Sequence, residues 1–126
     1  MQRTSLFILI AIFIFSSSYE CNRSKSTALR GKLVIKELCS HYVVQVIEGA
    51  IDTSLVENNW RDEKRQKTFD KVFTVANKCT FPSELNEGDE FVFTIDSNPP
   101  AQNCMVCMAF YPTPGKTNLI KLQQAK

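Results

Sequence analysis

The stretch ELCSHYVVQVIEGAID, residues 37–52, contains a cysteine, the only histidine of the chain and an alternating apolar run that ends at Gly49. Successive side chains of a β-strand point to opposite faces. The residues on one face of this run are Tyr42, Val44 and Val46, and those on the other face are Val43, Gln45 and Ile47. Both faces are largely apolar, which is typical of a strand that is covered on two sides. The stretch therefore predicts a central or barrel strand, with Cys39 as a covalent anchor at its start.

The segment QVIEG, residues 45–49, supports a second interpretation of the same stretch. It resembles the Q-x-V-x-G motif of cystatins, in which a hairpin turn carrying the motif inserts into the cleft of a cysteine protease. In cystatins a long amphipathic helix precedes this turn, whereas here Gln45 lies inside an apolar run and no such helix is predicted upstream. A cystatin-like inhibitor of cysteine proteases is the alternative function.

Further strands are predicted on both sides of this stretch. Their sequences are KLVIKEL (32–38), TFDKVFTVA (68–76), EFVFTI (90–95), CMVCMAFY (104–111) and TNLIKL (117–122). The residues expected to share a face are Phe69, Phe73 and Val75 in the second of these runs, and Phe91, Phe93 and Ile95 in the third. About six short strands joined by loops rich in Pro, Gly, Asn and Asp predict a small all-β barrel or sandwich.

The polar segment 52–67, DTSLVENNWRDEKRQK, separates two of these strands. A helix is conceivable from its good helix formers, but it has no apolar stripe to bury. We therefore expect an extended, solvated hairpin tip. Trp60, between Asn59 and Arg61, is then a candidate anchor for a protein partner, because Trp and Arg are enriched at interface hot spots.

Residues 1–18 have the pattern of a secretory signal: a basic start at Arg3, an apolar run over residues 6–15 and small residues before the cleavage site. The apolar run is only half as long as the roughly 20 residues that a membrane-spanning helix needs. We expect cleavage after Ser18 and one secreted domain over residues 19–126. The net charge of +2 falls to about +1 without Arg3, so neither nucleic acid nor an anionic membrane is expected as a partner.

The five cysteines all follow the predicted signal: they are Cys21, Cys39, Cys79, Cys104 and Cys107. Export makes disulfides the default state. Because five is odd, we expect two bridges and one remaining thiol, or one bridge between chains that gives a linked dimer. Asn22 begins the sequon NRS, which predicts a glycosylated, exposed N-terminal segment.

Catalytic chemistry finds little support in the sequence. With His41 as the only histidine, a histidine-based metal cluster is excluded, and the scattered carboxylates nominate no acid–base pair. Cys104 and Cys107 have the spacing of a redox motif, but they lead into a β-like run rather than a helix. We expect structural disulfides, no cofactor, no metal and no enzymatic activity.

The order of these segments resembles the netrin-like domain family, and most closely the N-terminal domains of tissue inhibitors of metalloproteinases. The segments are LCSHYVVQVIEGA (38–50), KRQKTFDKVFTV (64–75) and LNEGDEFVFTIDSNPPAQNCMV (85–106). The resemblance implies a five-stranded, OB-like barrel with an N-terminal segment tied across it by a Cys21–Cys104 disulfide. Cys39 would then pair with Cys79 or Cys107, or stay free.

The resemblance also implies a mechanism. In these inhibitors an N-terminal cysteine ligates the catalytic zinc of the protease through its α-amine and carbonyl, and Cys21 is the candidate here. If cleavage falls after Ser18, Tyr19 and Glu20 precede Cys21, and the nitrogen of Cys21 is part of a peptide bond instead of a free amine. In addition, position 23 holds Arg rather than the family's second cysteine. We therefore expect a degenerate inhibitor-like domain that binds an extracellular protein, with a metalloprotease as one candidate. The expected partner-binding residues are Cys21, Asn59, Trp60 and Arg61.

Overall fold

A computed structural model describes residues 27–98, 101–105 and 107–124. Their main regular structure is β-strand. The strands of these ranges are β1 (Leu29–Glu37), β2 (His41–Glu48), β3 (Trp60–Asp62), β4 (Lys67–Phe69), β5 (Val72–Val75), β6 (Glu90–Ile95), β7 (Thr117–Asn118) and β8 (Ile120–Leu122). The only helical pieces in these ranges are two short 3-10 turns, Leu38–Ser40 and Thr53–Leu55. The predicted all-β class is confirmed.

Three predictions fall on the N-terminal part of the chain. They concern the signal over residues 1–18, the role of Cys21 and the glycosylation of Asn22. All three lie outside the described residues.

β1 and β2 form an antiparallel hairpin at the centre of the sheet. The 3-10 turn between them contains Cys39, whose φ of 66° lies in the left-handed region and helps to reverse the chain sharply. Val43 and Val44 point to opposite faces of β2, and both are fully buried. The predicted two-sided burial of this strand is therefore confirmed.

Six of the described strands form one curled sheet, a half-barrel, in the order β7-β5-β2-β1-β6-β8. Its two edge strands, β7 and β8, are separated in the chain only by Leu119. β7 pairs in parallel with β5, and β8 pairs antiparallel with β6, so a single C-terminal segment contacts both edges of the sheet. This order, with its one parallel pair, fits the OB-like barrel that was expected.

Two hydrophobic clusters lie on opposite sides of the sheet. The inner cluster fills the curl of the sheet and contains Leu29, Leu33, Tyr42, Val44, Val46, Val56, Phe73, Val75, Phe81, Phe93 and Ile120. The outer cluster contains Ile35, Val43, Trp60, Phe69 and Val72. The β3–β4 hairpin contributes Trp60 and Phe69 to the outer cluster, so it covers the outside of β1, β2 and β5.

The segment 52–67 forms the start of a hairpin rather than a helix, as predicted, but this hairpin packs back on the sheet instead of standing in solvent. The predicted shared face of Phe69, Phe73 and Val75 is wrong. Phe69 belongs to the outer cluster and the other two to the inner one. The cause is a break between β4 and β5, where Lys71 has a φ of 53° and turns the chain.

Candidate functional site

The connection between β6 and β7, residues 96–116, carries the candidate site. Its described residues form neither strand nor helix, so the strand predicted over residues 104–111 is wrong for the described part of that run. Proline and glycine at residues 112–115 turn the chain before β7, as expected. What positions this connection is a set of covalent and polar contacts with the barrel.

Two disulfides attach this connection to the barrel. Cys107 pairs with Cys39 in the turn between β1 and β2, with 5.2 Å between their Cα atoms. Cys104 pairs with Cys79, which follows β5, with 5.5 Å between the Cα atoms. Both separations lie in the normal range for a disulfide. The prediction of two intramolecular bridges is confirmed, and Cys21 is the fifth cysteine.

The Cys21–Cys104 pairing implied by the netrin-like resemblance is wrong in this structure, because Cys104 is bonded to Cys79. A hydrogen bond next to this bridge joins the same two segments. The backbone amide of Cys79 donates a hydrogen bond to Gln102 Oε1 at 3.1 Å, which holds the loop against the residues after β5. For Cys39, the structure selects Cys107 from the alternatives that were open.

Polar contacts fix the C-terminal half of the loop. His41 Nε2, at the start of β2, donates to the carbonyl oxygen of Ala109 at 2.8 Å. The hydroxyl of Tyr111 donates to Asp62 Oδ1 at 2.8 Å and accepts from Arg65 Nη1 at 2.8 Å. The loop is thus held by the β3–β4 hairpin as well as by the disulfides.

The loop and the neighbouring β1–β2 turn expose large apolar side chains around the Cys39–Cys107 bridge. We call these four residues the apolar patch: Leu38 (81% exposed), Met105 (101%), Met108 (98%) and Phe110 (89%). Leu38 precedes Cys39 and Met108 follows Cys107, so the bridge brings these two residues into one region. The other large hydrophobics that are exposed in the described ranges, Ile47 and Val92, are only about 40% exposed.

Sequence reasoning missed this patch because it assigned the apolar run CMVCMAFY to a strand. Hydrophobicity alone does not say whether a side chain is buried within the chain or presented to a partner. One available signal was the position of the run, between the proline-rich segments 99–100 and 112–114 and with a cysteine three residues after another. These features are typical of a stapled loop.

An ionic cluster lies beneath the loop, at the junction of the hairpin with the barrel. Arg65 binds Asp62 at 3.0 Å and Glu37 at 2.9 Å, and it also pairs with Glu87. Asp62 is only 3% exposed. A buried carboxylate of this kind is tolerated only when its charge is compensated, which Arg65 and Tyr111 do here.

The pKa shifts of this cluster favour the charged forms of Asp62 and Arg65 and the neutral form of the Tyr111 phenol. Burial alone would raise the pKa of Asp62, but hydrogen bonds from Tyr111 and Arg65 outweigh it and hold the pKa below its usual range. Burial and the hydrogen bond to Asp62 together raise the pKa of Tyr111 to about 12. Burial acts to lower the pKa of Arg65, yet hydrogen bonds with Asp62 and Glu37 leave it above its usual value. The arrangement is suited to positioning the loop.

The predicted partner-binding residues of the hairpin have different environments. Asn59 and Arg61 are exposed, and an interface role for them stays a prediction. Trp60 is 9% exposed and stacks on Phe69 with 6.2 Å between the ring centroids. The indole of Trp60 is therefore part of the outer cluster. Burying this large apolar ring there removes it from water.

The segment QVIEG does not form a separate loop. Gln45 lies within β2, pairs with Val72 of β5, and donates from Nε2 to the carbonyl oxygen of Asp70 at 3.1 Å. The strand continues to Glu48, and the chain turns only at Gly49, which has a φ of 100°. The motif is therefore mostly strand, as its apolar alternation indicated.

Comparisons with protein-family models, curated proteins and solved structures give no match to this chain. Within the described ranges, no group of three or more His, Cys, Asp or Glu side chains is placed to hold a metal ion. Across the same part of the chain, no helix has the length and apolar character needed to span a bilayer.

Proposed function

We propose that this chain is an exported, non-enzymatic protein that binds an extracellular protein partner through the apolar patch. The observation that carries the proposal is the exposure of four large apolar side chains on a loop that two disulfides hold in place. Exposed apolar patches of this kind mark interaction sites in soluble proteins. Burying such a side chain in an interface contributes roughly 1.5–3 kcal/mol.

The position of the patch in the fold supports this proposal. In OB folds the loop between the first two strands and the loop before the last strand take part in binding oligonucleotides and oligosaccharides, so this end of the barrel is a known ligand-binding region. In this chain those two loops are the turn Leu38–Ser40 and the connection 96–116, and the Cys39–Cys107 disulfide joins them. A loop fixed in this way loses less conformational entropy on binding than a free one.

Disulfides and the signal-like residues 1–18 support an extracellular location. A metalloprotease is the partner class that the netrin-like resemblance implies, and a cysteine protease is the class that QVIEG implies. Purified examples of both are therefore the first partners to assay. N-terminal sequencing of the secreted chain belongs with these assays, because only a chain that starts at Cys21 presents a free amine to a catalytic zinc.

A four-residue variant tests the proposal. In the patch variant Ser replaces Leu38, Met105, Met108 and Phe110. In the control variant Ser replaces Ile47 and Val92, which are exposed apolar residues on β2 and β6. The wild-type chain and both variants are immobilised and exposed to extracellular fluid from the source organism, and the retained proteins are quantified by mass spectrometry. We expect at least one protein to be retained by the wild type and the control and to be depleted about tenfold by the patch variant.

Two outcomes would contradict the proposal. The first is that every retained protein is retained equally by all three chains, although circular dichroism shows the patch variant to be folded. The second is binding of the wild type to neutral phospholipid vesicles that the patch variant loses, with no protein partner depleted. The second result would assign the patch to a membrane surface.

A further inference from the structure

The methionines of the described residues have an unusual placement. Met105 and Met108 are 101% and 98% exposed, and they lie on either side of Cys107. The disulfide from Cys107 to Cys39 brings Met108, which follows Cys107, close to the turn that carries Leu38, and Met105 lies two residues before Cys107 in sequence. Two thioether sulfurs thus stand fully accessible to solvent inside the apolar patch.

The core, by contrast, contains no methionine in the part of the chain that the structure describes. Its buried apolar side chains are Leu, Ile, Val, Phe, Tyr and Trp. A reagent that attacks thioethers would therefore change the patch and leave both hydrophobic clusters intact. In many proteins methionine fills gaps in the core, and its oxidation then disrupts the core.

We propose that Met105 and Met108 are reversible oxidation sites through which hydroperoxides control the apolar patch. In the oxidation step a thioether lone pair attacks the terminal oxygen of the hydroperoxide and the O–O bond breaks. The proton of the transferred oxygen moves to the departing oxygen, so a sulfoxide forms while water leaves from hydrogen peroxide, or an alcohol from an organic hydroperoxide. Sulfur is oxidised by two electrons and the peroxide is reduced. A thiol-dependent methionine sulfoxide reductase reverses the step.

The physical consequence follows from the polarity of the sulfoxide. Its S–O dipole accepts hydrogen bonds from water, so burying it without a donor is unfavourable. Two sulfoxides would turn half of the four-residue patch from apolar to polar. The effect on partner binding rests on the proposed function above, whereas the reactivity of the two sulfurs and the loss of apolar surface do not.

The experiment treats the full secreted chain with hydrogen peroxide and follows three readouts. Peptide mapping locates the sulfoxides, a fluorescent dye that binds apolar surfaces reports the patch, and thermal unfolding reports the barrel. We expect sulfoxides at both methionines, severalfold lower dye fluorescence, and an unchanged melting temperature. Methionine sulfoxide reductase with a dithiol reductant, used at a concentration that leaves the disulfides intact by mass, restores the fluorescence.

The matched control is the double variant Met105→Leu with Met108→Leu, which keeps the patch apolar but removes both sulfurs. Its dye fluorescence should not respond to peroxide. The proposal is overturned if the wild type keeps its fluorescence after both sulfoxides have formed, or if the double variant loses as much fluorescence as the wild type. If a partner is known, sulfoxide formation should weaken its affinity about tenfold, and the double variant should keep it. Failure of the four-residue binding test would overturn the proposed function without altering the dye result.

Discussion

At the scale of single residues, the glycine with the least room for a side chain is Gly31 in β1. A Cβ atom at this position would stand 2.7 Å from Phe93 Cε1 and 2.9 Å from Val44 Cγ1. Both neighbours are fully buried in the inner cluster, so neither can move without disturbing the packing. Gly31 therefore allows the first, second and sixth strands to approach each other inside the curl.

We expect Gly31→Ala to lower the free energy of unfolding by about 1–3 kcal/mol, the usual effect of overpacking a core. Urea unfolding followed by tryptophan fluorescence measures this change. Gly115→Ala is the control, because its added Cβ would meet only Glu57 Oε2 at 3.8 Å. Equal stability of the two variants would mean that the inner cluster has room for a methyl group at residue 31.

Trp60, one of the expected partner-binding residues, packs its indole in the outer cluster. Its role at an interface stays a prediction. We expect Trp60→Ala to lower the free energy of unfolding by about 3 kcal/mol, as for other buried aromatic residues. Arg61→Ala, next to it and exposed, should change the stability little. Thermal unfolding by circular dichroism compares the two. A Trp60→Ala chain as stable as the wild type would mean that the indole contributes little to the outer cluster.

At the scale of elements, the β3–β4 hairpin, the end of β1 and the loop meet at Arg65. Each contributes a group to the ionic cluster: Asp62 from the hairpin, Glu37 from β1 and Tyr111 from the loop. Because separate segments of the chain share one guanidinium, the cluster specifies how the hairpin and loop sit on the barrel. Its strength depends on the carboxylates being ionised.

The stability of the protein should fall as the pH is lowered. A hydrogen bond from Lys64 is the main cause that lowers the pKa of Glu37, and the pKa of Asp62 is also below its usual range. A carboxyl group whose pKa is lower in the folded than in the unfolded state stabilises the fold at pH values above its unfolded-state pKa, about 4. This contribution is lost as the pH falls through the folded-state pKa. Urea unfolding over a series of pH values measures the slope.

Arg65→Met removes the shared partner and should flatten this acid dependence while lowering the stability at neutral pH. Lys121→Met is the control for loss of a positive charge, because Lys121 is exposed on β8, away from the ionic cluster. The same steep acid dependence in Arg65→Met as in the wild type would show that carboxylates elsewhere govern acid unfolding.

At the scale of the whole molecule, the two disulfides bind the long connection to distant parts of the barrel. The Cys39–Cys107 bridge spans 68 residues and the Cys79–Cys104 bridge spans 25. The chain-entropy contribution of a disulfide grows with the logarithm of the loop that it closes. Both bridges also fix the loop that carries the apolar patch.

Replacing Cys39 and Cys107 together by Ser should therefore cost about 0.9 kcal/mol more than replacing Cys79 and Cys104 together. Denaturant unfolding of the two double variants, each confirmed by mass to retain the other bridge, gives the difference. Losses that are equal, or larger for the shorter span, would mean that native contacts of the loop outweigh chain entropy.

Local patterns were sufficient for the parts of the fold that depend on neighbours in sequence. The alternation in β2 predicted burial on both of its faces, and Val43 and Val44 are both buried. EFVFTI predicted a strand with Phe91, Phe93 and Ile95 on one face, and all three belong to the inner cluster or pack against it. Both succeeded because strand periodicity is a property of consecutive residues. The same rule failed at Phe69, where one turn at Lys71 interrupts the strand.

The sequence by itself determined the β class, the central strand and, from its five cysteines, the expectation of two disulfide bridges. Only the tertiary structure decided which cysteines pair, that Trp60 lies inside, and that Met105, Met108 and Phe110 lie outside. The reason is physical: pairing and burial depend on which distant segments meet. An apolar side chain has the same hydrophobicity whether its own core or a partner covers it.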